Sequence, residues 1–217
     1  RLLDAAGVLH ATPQLAVMPD DPRLGEFRKD FAGLLGLIEL RPTDDPDEPI
    51  GEGTGATKVA SSEKLFERIT DHADETVDSR AFLAARLFDV FVGDWDRHPD
   101  QWRWARTGNT PADQWQPIPR DRDWALVNLD GVAWSLARFV YPYPQFVRFE
   151  AKYGDLVWLT WNGRALDRRL LSELPRPVWD SVATALQAKL PDSVIDDAID
   201  QLPSGLATAS GDFLRRT

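Results

Sequence analysis

Residues 79–102 read Ser-Arg-Ala-Phe-Leu-Ala-Ala-Arg-Leu-Phe-Asp-Val-Phe-Val-Gly-Asp-Trp-Asp-Arg-His-Pro-Asp-Gln-Trp. From Phe82 to Val92 apolar side chains cover most of a helical circumference, leaving a narrow polar stripe of Arg80, Arg86 and Asp89. Asp78 stands where an N-cap acid is favoured, so the pattern predicts a helix over 79–92 that belongs at the centre of the fold. Immediately after it come three acids, an arginine and a histidine: Asp94, Asp96, Arg97, His98 and Asp100. A buried element that ends by delivering polar groups to one spot is a common way to build a site.

A second acidic pair follows in Trp115-Gln-Pro-Ile-Pro-Arg-Asp-Arg-Asp-Trp-Ala-Leu126. It reads as a short strand that ends in charge and resumes as Trp124 to Val127. Carboxylates presented by two ordered elements point to a divalent cation or a phosphate. Asp94 and Asp100 are expected to cap loop backbone. Arg97, Arg120 and Arg122 are expected to neutralise neighbouring acids. Trp102 and Trp104 alternate along a strand-like run and read as core.

Working outward, 13–18 and 34–40 are short apolar runs closed by proline-rich turns and read as two strands able to pair antiparallel. Residues 42–57, rich in Pro, Asp, Glu and Gly, read as an exposed linker. Gly51 to Gly55 lacks the lysine spacing of a phosphate loop. Ser61 or Ser62 starts an amphipathic surface helix to about Ala73. Trp134 to Phe149 is aromatic and proline-rich and reads as an extended surface wrap. Helices are expected at 167–174, 178–190 and 192–202, with a last one ending near Arg216. The fold class is α+β, a mainly helical body preceded by a few strands.

The 217 residues, 43% hydrophobic, suffice for one core. A net charge of −10 with scattered basic residues argues against nucleic acid as a partner. There is no cysteine, which removes thiolate chemistry and disulfides. No apolar run is long enough to span a bilayer. The opening at Arg1, in what looks like the tail of a helix, suggests one domain cut from a longer chain: a strand-rich 1–41, a linker at 42–57, and a helical lobe at 58–217. The compartment stays open, with the cell envelope among the options. Nine tryptophans, several beside the acids, either pack the site or form an exposed binding platform.

Asp96-Arg97-His98 with Gln101 resembles the Asp-Arg-His-x-x-Asn catalytic loop of atypical kinases of the lipid-kinase-like and HipA type. Ile118-Pro-Arg-Asp-Arg-Asp123 resembles the Ile-Pro-Trp-Asp-x-Asp segment of CotH-type spore-coat kinases. From about Asp4 to Arg216 the chain also resembles a group of large bacterial proteins carrying both motifs. The kinase resemblance implies a phosphotransferase using ATP and Mg²⁺ on a hydroxyl acceptor, with a helical lobe like the larger kinase lobe. It implies Asp96 as the residue orienting or deprotonating the acceptor, His98 as base or loop brace, and Gln101, Asp121 and Asp123 as metal ligands. Backbone groups of Glu39, Leu40 and Arg41 would face the adenine. Gln101 departs from the family's Asn by one methylene. Neither Lys29 nor Lys58 lies in a convincing buried strand, so the phosphate-binding lysine and glycine-rich cover are expected upstream, and the piece could be folded yet inactive. Two other readings stand beside it: a metal-dependent or paired-carboxylate hydrolase using Asp94, Asp96, Asp121 and Asp123, and a non-catalytic envelope module with exposed tryptophans.

Overall fold

The computed structural model describes residues 1–39, 56–108, 110, 113–129, 134, 136 and 145–217. It is α+β with a mainly helical body. A short helix α1 (Leu2–Ala6) leads to a hairpin of β1 (Gln14–Val17) and β2 (Leu35–Ile38), antiparallel as expected, with Leu15 opposite Leu37 and the short helix α2 (Arg28–Phe31) in the connection. A three-stranded antiparallel sheet follows, in the order β3 (Lys58–Ser61), β4 (Trp102–Arg106), β5 (Gln116–Pro119). Pro117 and Pro119 fall at alternate positions of β5, an outer strand of this sheet, so both missing N–H groups lie on the side away from β4.

Helix α3 (Ser62–Asp71) starts where Ser61 accepts a hydrogen bond from the Lys64 amide. Helix α4 (Ser79–Phe91) begins at Asp78, whose carboxylate accepts from the amides of Arg80 and Ala81 at 3.1 and 2.9 Å. It is central, as its sequence implies. Phe82, Leu83 and Ala85 pack inside, and Phe82 lies against the stacked indoles of both Trp102 and Trp104, with ring centroids 5.0 and 5.4 Å away. Leu65, Trp115, Leu166, Leu170, Val182 and Leu186 complete the core around it. The last third is helical: α5 (Leu156–Leu159), α6 (Arg164–Leu170), α7 (Arg176–Lys189), α8 (Asp192–Asp200) and α9 (Ser204–Arg216), with α7 packed on α4. Among the described residues no helix is long and apolar enough to cross a membrane.

Within the polar stripe of α4, Arg86 and Asp89 are 5% and 0% exposed, because basic and acidic partners enclose them. Several expectations are corrected. Residues 123–126 form a turn rather than a resumed strand. Lys58 begins a real strand, β3, whose four residues are too few to show a period. Helix α6 starts at Arg164, three residues earlier than expected. Of the segment read as a surface wrap, Trp134 and Leu136 have helical backbone, and Val147 and Phe149 are buried. The linker expectation for 42–57 falls outside the described residues except at its last two.

Candidate functional site

The acidic loop leaves α4 through Gly93, which adopts φ 67°. A Cβ there would lie 2.7 Å from the Tyr153 hydroxyl and 3.1 Å from the Phe149 ring, so both conformation and space require glycine. Beneath the loop is a buried ionic cluster. Asp89 accepts from Arg86 Nη1 at 2.7 Å and from Arg122 Nη1 at 2.6 Å, with Arg97 Nε 3.5 Å away. Burial pushes the Asp89 carboxyl up, but the charges of Arg122, Arg97 and Arg86 outweigh it and hold it below its ordinary value. Arg86 also forms a two-pronged pair with Asp167, at 2.7 and 2.9 Å, tying α4 to α6.

Asp94 faces the backbone amide of Asp96, as a loop-capping acid would, but it is more than a cap. It is 1% exposed and lies 3.6 Å from Arg97 and 3.5 Å from Arg122, ion-pair distances too long for good hydrogen bonds. Burial raises its carboxyl to about 6, opposed by Arg97 and reinforced by the charge of Asp89. Arg97 itself is a brace. Its guanidinium donates to the carbonyl oxygens of Arg120 (2.6 Å), Asp121 (3.1 Å) and Gln101 (3.1 Å), and lies 4.9 Å over the Trp102 ring. One side chain thus holds the acidic loop, the start of β4 and the end of β5 in register. The backbone bond from Arg120 N–H to Gln101 carbonyl, 2.9 Å, closes the same junction.

Above this base the polar ends of the loop are brought towards one another. Gln101 donates from Nε2 to Asp121 Oδ2 at 3.1 Å. Asp121 sits at φ 47°, a conformation that Asp tolerates better than most residues, and Leu126, closing the following turn, sits at φ 61°. Asp123 is exposed, yet its carboxyl is raised, first by partial burial and then by the charges of Asp121 and Asp96. Asp96 accepts from Asn162 Nδ2 at 3.1 Å, and His98 Nε2 stands 3.9 Å from its other oxygen. Both Asp96 and His98 are partly exposed.

Among the site residues read from the sequence, Gln101 is thus bonded to Asp121 and His98 faces Asp96, while the charges of Asp121 and Asp96 both act on Asp123; together they make up the acidic patch considered below. Glu39 lies on the exposed end of the hairpin, and nothing ties it to this patch; Leu40 and Arg41 lie outside the described residues. Asn162 was not recognised in the sequence. It sits on a short 3-10 turn, Trp161–Gly163, and no motif near it marks it. The expected neutralising arginines are found at Arg97 and Arg122. Trp95, Trp102 and Trp115 are 6%, 0% and 1% exposed, so these three cannot form a binding platform.

The patch offers carboxylate and amide oxygens, the donor set of a hard cation. Among the described residues no three His, Cys, Asp or Glu converge closely enough to hold a metal ion unaided. Mg²⁺ is commonly held by one or two carboxylates with phosphate oxygens and water, and the Asp121–Asp123 pair fits that partial role. Comparison of the chain with family models, curated proteins and solved structures finds no match.

Proposed function

We propose that the chain is an atypical kinase-like phosphotransferase domain, using ATP and Mg²⁺ to phosphorylate a hydroxyl acceptor. The observation that carries this reading is the hydrogen bond from Gln101 to Asp121, which joins the acidic loop to the end of β5 two residues before Asp123; burial first, and then the charges of Asp121 and Asp96, raise the Asp123 carboxyl. Like charges brought together on a braced scaffold are relieved by a cation. The order of the parts supports the same reading: an acid before β4, an amide at its start, and two acids after β5.

Asp121 and Asp123 would hold Mg²⁺, which when bound neutralises charge on the phosphates; Gln101 would join them only by turning its amide so that the oxygen replaces the N–H it gives Asp121. Asp96 would orient the acceptor hydroxyl and take its proton as that oxygen bonds to the γ-phosphorus of ATP and the bond from the γ-phosphorus to the departing ADP breaks. Asn162 already occupies one Asp96 oxygen, leaving the other, on the His98 side, for the acceptor. Arg97 would keep the two segments in register and touch neither substrate.

Titration with Mn²⁺, followed by water-proton relaxation with and without ATP, tests this reading. Binding without nucleotide should be lost in Asp123→Asn and retained in Asp100→Asn, a nearby exposed acid; enhancement by ATP is expected only where the upstream phosphate-binding lysine and glycine-rich cover are present. Absence of Mn²⁺ binding in the unsubstituted chain, or its survival in Asp123→Asn, would overturn the metal role.

A further inference from the structure

On the other side of the acidic loop, between the end of α4 and the last two helices, is a cavity of about 450 Å³, within the size range of small-molecule sites. Its walls are apolar: Val90 and Phe91 from α4, Leu126, Phe149, and Ile195 and Ile199 from α8. Phe91 is 37% exposed, unlike Phe82 and Phe88 of the same helix, so an aromatic face of the central helix remains available there. The rim is acidic, with Glu150, Asp192 and Asp196. Its arginine, Arg215, is already engaged by Asp196 at 3.2 Å and by Asp200. Glu150 and Asp192 make no ion pair among the described residues. An apolar chamber under an uncompensated acidic rim selects a charge as well as a shape.

We propose that this cavity binds a small organic cation: an amine on an apolar body of aromatic-ring size, its ring against Phe91, Ile195 and Ile199 and its ammonium at Glu150 and Asp192. The site is separate from the Asp96–Asp123 patch and does not depend on a phosphotransferase reading. It is nevertheless mechanically joined to that patch. Leu126 closes the turn that carries Asp123, and its amide donates to the Val92 carbonyl at 2.7 Å. Tyr153, another wall, rests its hydroxyl over Gly93, where the acidic loop begins. Occupancy is therefore expected to be felt at both ends of the acidic junction.

The test uses three probes of one shape: 4-phenylbutylamine, 4-phenylbutanol and 4-phenylbutanoate. Each is titrated into the ¹⁵N-labelled chain and followed through the amide resonances of Gly93, Leu126, Tyr153 and Ile199. The amine should shift these resonances saturably and bind about tenfold more tightly than the alcohol, as one rim charge in a partly shielded site would give. The carboxylate should bind more weakly than either. Asp192 also favours the first turn of α8 through the helix dipole, so Glu150→Gln is the cleaner variant. Glu150→Gln should weaken the amine and leave the alcohol unchanged. Ile195→Trp, which fills the chamber from a half-buried position, should remove binding of all three. Equal or tighter binding of the carboxylate, shifts confined to other residues, or no saturable shift with any probe at millimolar concentration would overturn the proposal.

Discussion

Arg97 donates a hydrogen bond from Nη1 to the carbonyl oxygen of Arg120 across 2.6 Å, so a side chain from the acidic loop grips the backbone at the end of β5. The same guanidinium reaches the carbonyls of Asp121 and Gln101 and faces Asp89 and Asp94. Breaking a buried ionic cluster by removing one partner costs about 3–5 kcal/mol, because the acids left behind stay buried. Arg97→Met is expected to lose stability of that order in urea denaturation. Arg97→Lys keeps the charge but not the planar fork that serves three carbonyls, so it should recover only part of the loss. A midpoint unchanged in Arg97→Met would mean that the junction is held by backbone alone.

Asp94 makes a pH dependence of unusual sign. Its folded-state carboxyl is raised from 3.8 to about 6, so the folded chain binds the proton more tightly than the unfolded chain does. Its contribution is therefore fully present below pH 3.8 and is lost as pH rises through about 6. Glu75 acts in the opposite direction. Bonded to Arg68 and to the Trp115 indole, it is lowered to about 2, and its stabilisation is lost as pH falls from 4.5 towards that value. The two overlap in any single profile, so the difference between the parent and Asp94→Asn isolates the first. That difference should change between pH 4 and 6 by about 1–3 kcal/mol and be flat above it. A flat difference across the whole range would show that Asp94 stays ionised in the folded chain.

The elements legible in the sequence are those whose signal is local. Helix α4 declares itself through its apolar circumference and the Asp78 cap, and the β1–β2 pair through two apolar runs with proline-rich stops. The acidic loop is legible because its residues are contiguous. Arg86 and Asp89 could not be read as buried, since a polar stripe on a helix looks the same whether water or Arg122 and Asp167 face it. Asp94 was legible only in part: Arg97 lies three residues away in the same loop, but Arg122 comes from a segment that only the three-dimensional junction brings near. Asn162 is farther still from the loop along the chain, and its role exists only as a distance to Asp96.

Gly93 and Tyr153 offer a test by double substitution. Gly93→Ala meets a left-handed backbone and a hydroxyl 2.7 Å from the new Cβ. The backbone conformation alone costs about 1–2 kcal/mol, and the collision adds to it. Tyr153→Phe removes the colliding oxygen, which is shielded from water and faces only the backbone amide of Glu150 at the edge of hydrogen-bonding geometry. By itself that change should be close to neutral. In the Tyr153→Phe background Gly93→Ala should cost less than in the parent, leaving the backbone component and the Phe149 contact. Strict additivity in thermal denaturation would show that the Tyr153 ring moves aside at no cost.

Phe88 is 2% exposed in α4, and its ring carries the Arg122 guanidinium at 5.2 Å on one face. Phe88→Ala is expected to cost about 3–5 kcal/mol from lost burial and the cavity left behind. Phe88→Leu keeps most of the volume and should cost less than half as much. Equal losses for the two, measured by chemical denaturation, would assign the effect to the cation–π contact rather than to packing.

The acidic patch should reveal itself by competition between a divalent ion and a proton. Asp123 is raised by burial and by the charges of Asp121 and Asp96, so at low pH a proton occupies the oxygen that a cation would need. Mn²⁺ affinity is expected to climb as pH rises above the ordinary aspartate value and to level off once Asp123 is ionised. Asp96→Asn removes one of the two charges that hold this proton without removing a metal ligand. The climb should then move to lower pH, while the plateau stays within a few-fold of the parent. In Asp123→Asn the climb should disappear with the binding itself. A climb whose midpoint does not move in Asp96→Asn would mean that the two carboxylates do not share one field, and the case for a common cation site would fall with it.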